Sequence, residues 1–253
     1  MPGSELRVIR AFLSAFARRR AARVLEPPGG LAVYDEAFRH SRADNQVVVD
    51  GAVAPEALPG LAEEALGRPP YRLVSVLDDD IGTACAGPLV RAGYARSVRA
   101  VMRHEGPVPP GRSAAEVELD ALRVPLARRW RGFLPGADEE GGRRLVDRRE
   151  ARRRGADVVR FLSASTADGE VAAWGDPYLD PATGTAQIED LVTSEAHLGC
   201  AHGDAVPTTA LRLATDAGRG TRFLIADASD WPRGWYERRG FAVIGHTRRF
   251  TRG

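Results

Sequence analysis

Between residues 186 and 211 the chain reads AQIEDLVTSEAHLGCAHGDAVPTTAL. A β-rich run, 186–192, breaks into a glycine-containing loop at Leu198-Gly199-Cys200-Ala201-His202-Gly203 and resumes as a helix over 204–217. Downstream, residues 222–241 read RFLIADASDWPRGWYERRGF: a strand over 222–226, a helix over 232–238 and the start of a last strand, 241–250. Upstream lie strands at 158–164 and 171–179, joined at Asp168-Gly169, a good two-residue hairpin signal. A strand at 117–122 and helical segments at 125–134 and 137–154 precede them. The order β-α-α-β-β-β-α-β-α-β is that of an α/β fold, a mixed central sheet with helices on both faces.

The first part of the chain is organised similarly. Leu6, Ile9, Leu13 and Phe16 recur at helical spacing, with Ser4 as N-cap and Pro27-Pro28-Gly29-Gly30 as a stop. Strands at 31–38 and 46–50 follow, then a helix from Pro55 to Leu66 closed by Gly67 and Pro69-Pro70. A strand (72–77), a helix (81–92) and a strand (94–102) lead to residues 106–113, GPVPPGRS, the best linker in the chain. The division expected is therefore 1–112 and 113–253. The two parts echo one another: 71–76 leads through a helix to Arg91-Ala92-Gly93-Tyr94, and 221–226 leads likewise to Arg238-Arg239-Gly240-Phe241.

Residues 186–250 resemble the GNAT superfamily of acyltransferases. Residues 186–211 look like that family's strand, pyrophosphate loop and helix, and 222–241 like the next strand and the Tyr-bearing YERxGF helix. Both occur in the right order and at the right separation, and the elements back to Val117 fit by order alone. The resemblance implies a GNAT fold in 113–253 and a degenerate GNAT-like domain in 1–112, in tandem. Glycines at a helix start let consecutive backbone N–H groups approach a pyrophosphate, helped by the helix dipole. The family writes the loop as Arg or Gln, two residues, Gly, one residue, then Gly or Ala. Those positions are here Leu198, Ala201 and Gly203, so a polar side chain and one glycine are missing. The implied acyl-CoA site is Leu198, Gly199, Cys200, Ala201, His202, Gly203 and Asp204, with the backbone of Leu191 and Val192 holding the pantetheine arm or polarising the acyl carbonyl.

Tyr236 matches the family's tyrosine that protonates the leaving thiolate; packing of the same ring under Phe241 is the alternative. Glu189, or Asp190 beside it, is the candidate base for an acceptor ammonium, with strand alternation placing the two on opposite faces. A solvated or Arg-paired carboxylate is the alternative use of either. Trp174 and Tyr178 share one strand face, where they line an acceptor pocket or pack the core. The irregular loop leaves two other readings open: a donor that is an aminoacyl-tRNA or carrier-protein thioester, and a non-catalytic interaction protein. The basic run Arg148-Arg149-Glu150-Ala151-Arg152-Arg153-Arg154 is by default a solvated face, and beside a weak CoA loop it also suits a tRNA-using relative.

Composition narrows the chemistry. All 36 basic residues are Arg, so Lys nucleophiles and Schiff bases are excluded. A net charge of +2 does not argue for nucleic acid, and two Cys with five scattered His give neither a disulfide framework nor metal-ligand spacing. No apolar run approaches a membrane span, and no small-residue cleavage site follows the short apolar N-terminal stretch. The expectation is a cytoplasmic N-acetyltransferase using acetyl-CoA as co-substrate and a small-molecule amine as acceptor, without metal or membrane. A homodimer and a tRNA partner stay open.

Overall fold

The computed structural model describes residues 2–67, 71–133, 136 and 138–253. In chain order these form α1 (Pro2–Arg20), β1 (Arg23–Leu25), β2 (Gly30–Tyr34), β3 (Gln46–Val49), α2 (Leu58–Ala65), β4 (Arg72–Val76), α3 (Asp79–Arg91), β5 (Ala95–His104), β6 (Ala115–Val117) and α4 (Leu119–Phe133). Then follow α5 (Glu139–Arg152), β7 (Val158–Val159), β8 (Phe161–Ser165), β9 (Val171–Asp180), β10 (Thr185–Thr193), α6 (His202–Asp216), β11 (Thr221–Asp227), α7 (Pro232–Glu237) and β12 (Phe241–Arg252). The helix ends expected at Pro69-Pro70, Leu134 and Ala137 lie outside the described residues. The chain divides into two units: residues 1–102 with 225–238 and 242–253, and residues 103–224 with 239–241. These units do not follow a single cut at 112, because α7 and most of β12 group with the first.

In the first unit the strands run β1-β2-β3-β4-β12-β5. The β3–β4 pair is parallel, whereas β1–β2, β2–β3 and β4–β12 are antiparallel, so the sheet is mixed. Alternation divides the side chains between two helical layers. Ala32, Val47 and Val49 join Leu58 and Ala62 of α2 and Cys85 and Leu89 of α3 in one cluster. Their neighbours Leu31, Val33 and Val48 pack instead with Leu13 and Ala17 of α1. The strand expected over 31–38 stops at Tyr34, because the Asp35 carboxylate accepts the Ala37 N–H and turns the chain into a short 3₁₀ turn.

In the second unit the order is β6-β8-β9-β10-β11, antiparallel except for the parallel β10–β11 pair. Successive residues of β9 show that helices cover both faces. Gly175 faces α6, where a Cβ would come within 2.8 Å of Val206, and Asp176 points the other way onto α5. The segment 117–122 is not the strand expected. β6 ends at Val117, and Leu119, Leu122 and Leu126 are all buried at helical spacing in α4. Pro125 sits inside that helix rather than opening it, at the loss of one backbone hydrogen bond. Among the described residues, no helix is long and apolar enough to cross a membrane.

The helix–glycine–aromatic echo has a conformational basis. Gly93 after α3 and Gly240 after α7 both adopt left-handed backbone, φ +85° and +83°, and each is followed by a buried ring, Tyr94 or Phe241.

Candidate functional site

The site is built around an irregularity in β10. Glu189 stands opposite Asp176 and Val192 opposite Trp174, so Asp190 and Leu191 together face the single residue Gly175. This is a β-bulge, which takes one residue out of the ladder and bends its strand. Asp190 carries the distortion at φ +49°. The parallel ladder with β11 covers Thr185–Gln187 only, and β10 runs on to Thr193 beyond it. Gly175 makes the bulge sterically feasible: a side chain there would collide with both Leu191 and Val206.

Two arginines of α5 hold the bulge from the other face. Asp138 caps that helix, accepting the Gly141 N–H at 2.7 Å, and Leu145 and Val146 are buried. The three-residue spacing of Arg149 and Arg152 then brings both guanidiniums to one side. Arg149 donates to Asp176 and, at 3.0 Å, to Asp190; Arg152 donates to Asp176 and Asp190, each at 2.7 Å. Asp176 is fully buried and both arginines nearly so. Burial works against charge on Asp190, but Arg152, Arg149 and Arg148 outweigh it and hold the carboxyl well below the usual carboxylate range. Burial also pushes the Tyr178 phenol well above its usual value.

The basic run 148–154 is therefore a solvated face only at Glu150, Arg153 and Arg154. Arg148, Arg149 and Arg152 are buried, Arg148 lying over the Trp130 ring, and Arg153 pairs with Glu118 and Glu150. Charge used internally in this way is not presented to a polyanion.

Beyond β10 the Ser194 N–H donates to Ala172, and a 3₁₀ turn over Glu195–His197 leads into the loop. Gly199 has φ +78°, and Ala201, the N-cap of α6, has φ +60° with no side chain to cap the helix. Cys200 N–H donates to His197 and Asp204 N–H to Ala201. The N–H groups of Ala201, His202 and Gly203 precede the first full helical bond and point from an uncapped, positively polarised helix end. Ala205, Val206, Ala210, Leu211 and Ala214 bury the opposite face of α6 and fix its direction. Leu198 and Cys200 are exposed. Asp204, expected to place a negative charge near the anion, is paired with Arg239 at 2.6 Å. His197 approaches Glu170 at 3.3 Å and meets His202 edge to face.

Beside the bulge lies a cavity of about 730 Å³. Val124, Pro125 and Phe133 of α4 with Val171, Trp174 and Val192 form its apolar wall, and Arg128, Arg129, Glu170 and Glu195 add charge. Trp174 and Tyr178 separate here: Trp174 borders the cavity, whereas Tyr178 is fully buried and does not.

Glu189, Leu191, Val192 and the loop from Leu198 to Asp204 all belong to the second unit. Glu189 is half-buried and accepts the Gln187 amide at 2.6 Å. Tyr236 belongs to the first unit, half-buried on α7 with the Trp235 ring edge-on at 5.2 Å. Arg149, Arg152, Arg129 and Arg239 are site residues that sequence reasoning missed. The first two were legible only as a three-residue spacing of arginines on a helix. Nothing local marked Arg129 or Arg239.

No protein-family model and no curated protein matches this sequence. Solved structures do match it. A functionally unknown conserved protein from Staphylococcus epidermidis superposes with a TM-score of 0.66 at 12% identity, over 92% of this chain and 94% of that one. A GCN5-related N-acetyltransferase from Kribbella flavida superposes with a TM-score of 0.62 at 15% identity, over 96% and 94%. One from Sphaerobacter thermophilus gives 0.56 at 16% identity, over 87% and 75%. The chain has the GNAT fold. In this GNAT-fold chain the loop before α6 keeps its helix-start geometry although Leu198 and Ala201 depart from the family's pattern.

Proposed function

We propose that this protein is an acyltransferase moving an acyl group, acetyl in the first instance, from CoA directly to an amine of a small molecule. The observation that carries the reading is the N-terminus of α6. An uncapped helix start, reached through left-handed Gly199 and Ala201, follows directly on a bulged strand. Backbone donors with a helix dipole suit a pyrophosphate whatever the side chains are, so Leu198 and Ala201 do not abolish the site. The part of β10 past Gln187 supplies the second half, because it runs beyond the ladder with β11 and its backbone groups at Leu191 and Val192 are available on that side to a thioester carbonyl or a pantetheine amide. The solved GNAT-fold relatives named as N-acetyltransferases support the same class of reaction.

In the proposed reaction the amine nitrogen attacks the thioester carbonyl, and a C–N bond forms as the C–S bond breaks. The ammonium proton goes to Glu189, directly or through water, and the thiolate sulfur takes up a proton. Asp190 is the weaker candidate for the base, because its carboxylate is engaged by Arg149 and Arg152. Water is the source of the sulfur's proton in this scheme, since Tyr236, given that role by the resemblance, belongs to the first unit. The internal use of Arg148, Arg149 and Arg152 removes the charge that favoured a tRNA donor.

Thermal melting tests the reading. Acetyl-CoA at a hundredfold excess over its Kd should add about 2.7 kcal/mol and raise the melting temperature by several degrees. Gly203→Trp should abolish that shift, since Gly203 has ordinary helical backbone and the indole would cover the N–H groups without refolding the loop. No shift in the wild type, or an equal shift in the variant, contradicts the proposal.

A further inference from the structure

The cavity beside β10 has a charge pattern that the donor reading does not use. Four charged residues border it, and two of them neutralise each other: Arg128 donates to Glu170 at 3.3 Å. Among the described residues, Arg129 and Glu195 have no ion pair of their own. Arg129 is exposed, and its guanidinium lies over the Phe133 ring, 4.7 Å from the centroid, which fixes its plane while leaving its N–H groups free. The indole N–H of Trp174, a residue almost wholly buried, has no acceptor among the described residues, and the ring borders the cavity.

We infer that the acceptor is a free amino acid with a bulky apolar side chain, held as a zwitterion between Arg129 and Glu195. The inference rests on the acyl-transfer reading for the fate of the amine, but the recognition argument does not need it. A planar guanidinium takes a carboxylate through paired N–H groups. Glu195 offers the opposite charge to the ammonium. The apolar wall of Val124, Pro125, Phe133 and Val171 takes the side chain. The cavity volume lies within the range of small-molecule sites and accommodates an aromatic ring. Val192 borders the cavity and directly follows the bulge, on the part of β10 proposed to hold the acyl carbonyl. A polyamine acceptor would call for an excess of carboxylates, which this lining does not have.

The test is calorimetric titration of the full chain with L-phenylalanine, phenethylamine and spermidine, and separately with acetyl-CoA. Phenethylamine is L-phenylalanine without its carboxylate, so it should bind about tenfold or more weakly, as loss of one charged hydrogen-bonded pair implies. Spermidine should not bind measurably. Arg129→Met should remove the advantage of L-phenylalanine over phenethylamine, and Glu195→Gln should weaken both. An unchanged melting temperature of each unliganded variant checks that both are folded. Equal or tighter binding of phenethylamine or spermidine, no binding of L-phenylalanine, or an unaltered preference in Arg129→Met overturns the inference. Absence of acetyl-CoA binding alongside Arg129-dependent L-phenylalanine binding would instead overturn the donor reading and leave this one standing.

Discussion

Ala201 and Asp190 hold left-handed backbone without being glycine, at φ +60° and +49°. A Cβ in that region costs of order 1 kcal/mol or more, so the strain marks positions that the surrounding structure over-determines. Ala201 stands where the resemblance calls for a glycine, and its left-handed backbone is one that glycine adopts without strain. Ala201→Gly should therefore raise stability by about 1 kcal/mol in urea denaturation. A loss of stability would mean that Ala201 is held by contacts its methyl makes. The departure at 201 was legible because loop position and residue type are both local. The pairing of Asp190 was not, because its partners stand 38 and 41 residues away. Strand alternation set Asp190 opposite Glu189, but it did not foresee the bulge that changes which groups the carboxylate reaches.

At the scale of elements, the site depends on α5 as much as on β10. Two arginines and two aspartates share an interface in which Arg149, Arg152 and Asp176 are buried and Asp190 is partly exposed, and removing one charge leaves a buried partner uncompensated. The pH dependence follows from Asp190, whose carboxyl is held below its unfolded-state value near 3.9. A lowered value in the folded state contributes stability that is fully present well above pH 4 and is lost as the pH falls. The stability difference between wild type and Asp190→Asn should thus be largest near neutrality and shrink below about pH 4 in denaturation series. A difference constant over that range would show that Asp190 acts by shape alone. Elements with strong local signals, β9, β10, α6 and β11, emerged from the sequence within a few residues. The start of α4 did not: Ala115-Glu116-Val117-Glu118-Leu119 alternates like a strand, and only the burial of Leu119, Leu122 and Leu126 against the sheet decides for a helix. The arginines of α5 were misjudged for the same reason, since a charge run carries no sign of which side the carboxylates will come from.

At the scale of the whole molecule, each unit is a mixed sheet with helices on both faces, and the helix–glycine–aromatic turn occurs at Gly93-Tyr94 after α3 and at Gly240-Phe241 after α7, both helices belonging to the first unit. The second unit carries the glycine-containing loop at a helix start, the bulged strand and the apolar cavity. Element order, read from hydrophobic period and turn residues, was enough to reach the α/β class, whereas the family resemblance came from the motifs in 186–211 and 222–241. The grouping of α7 and β12 with the first unit depends on long-range pairing, as in the β12–β4 ladder, and is invisible to local signals. The central claim is that the start of α6 holds the diphosphate of an acyl donor. A crystal structure of the full chain soaked with CoA tests it most directly. The account predicts diphosphate oxygens about 3 Å from the backbone nitrogens of Ala201, His202 and Gly203. CoA bound with its diphosphate away from that helix end would contradict it.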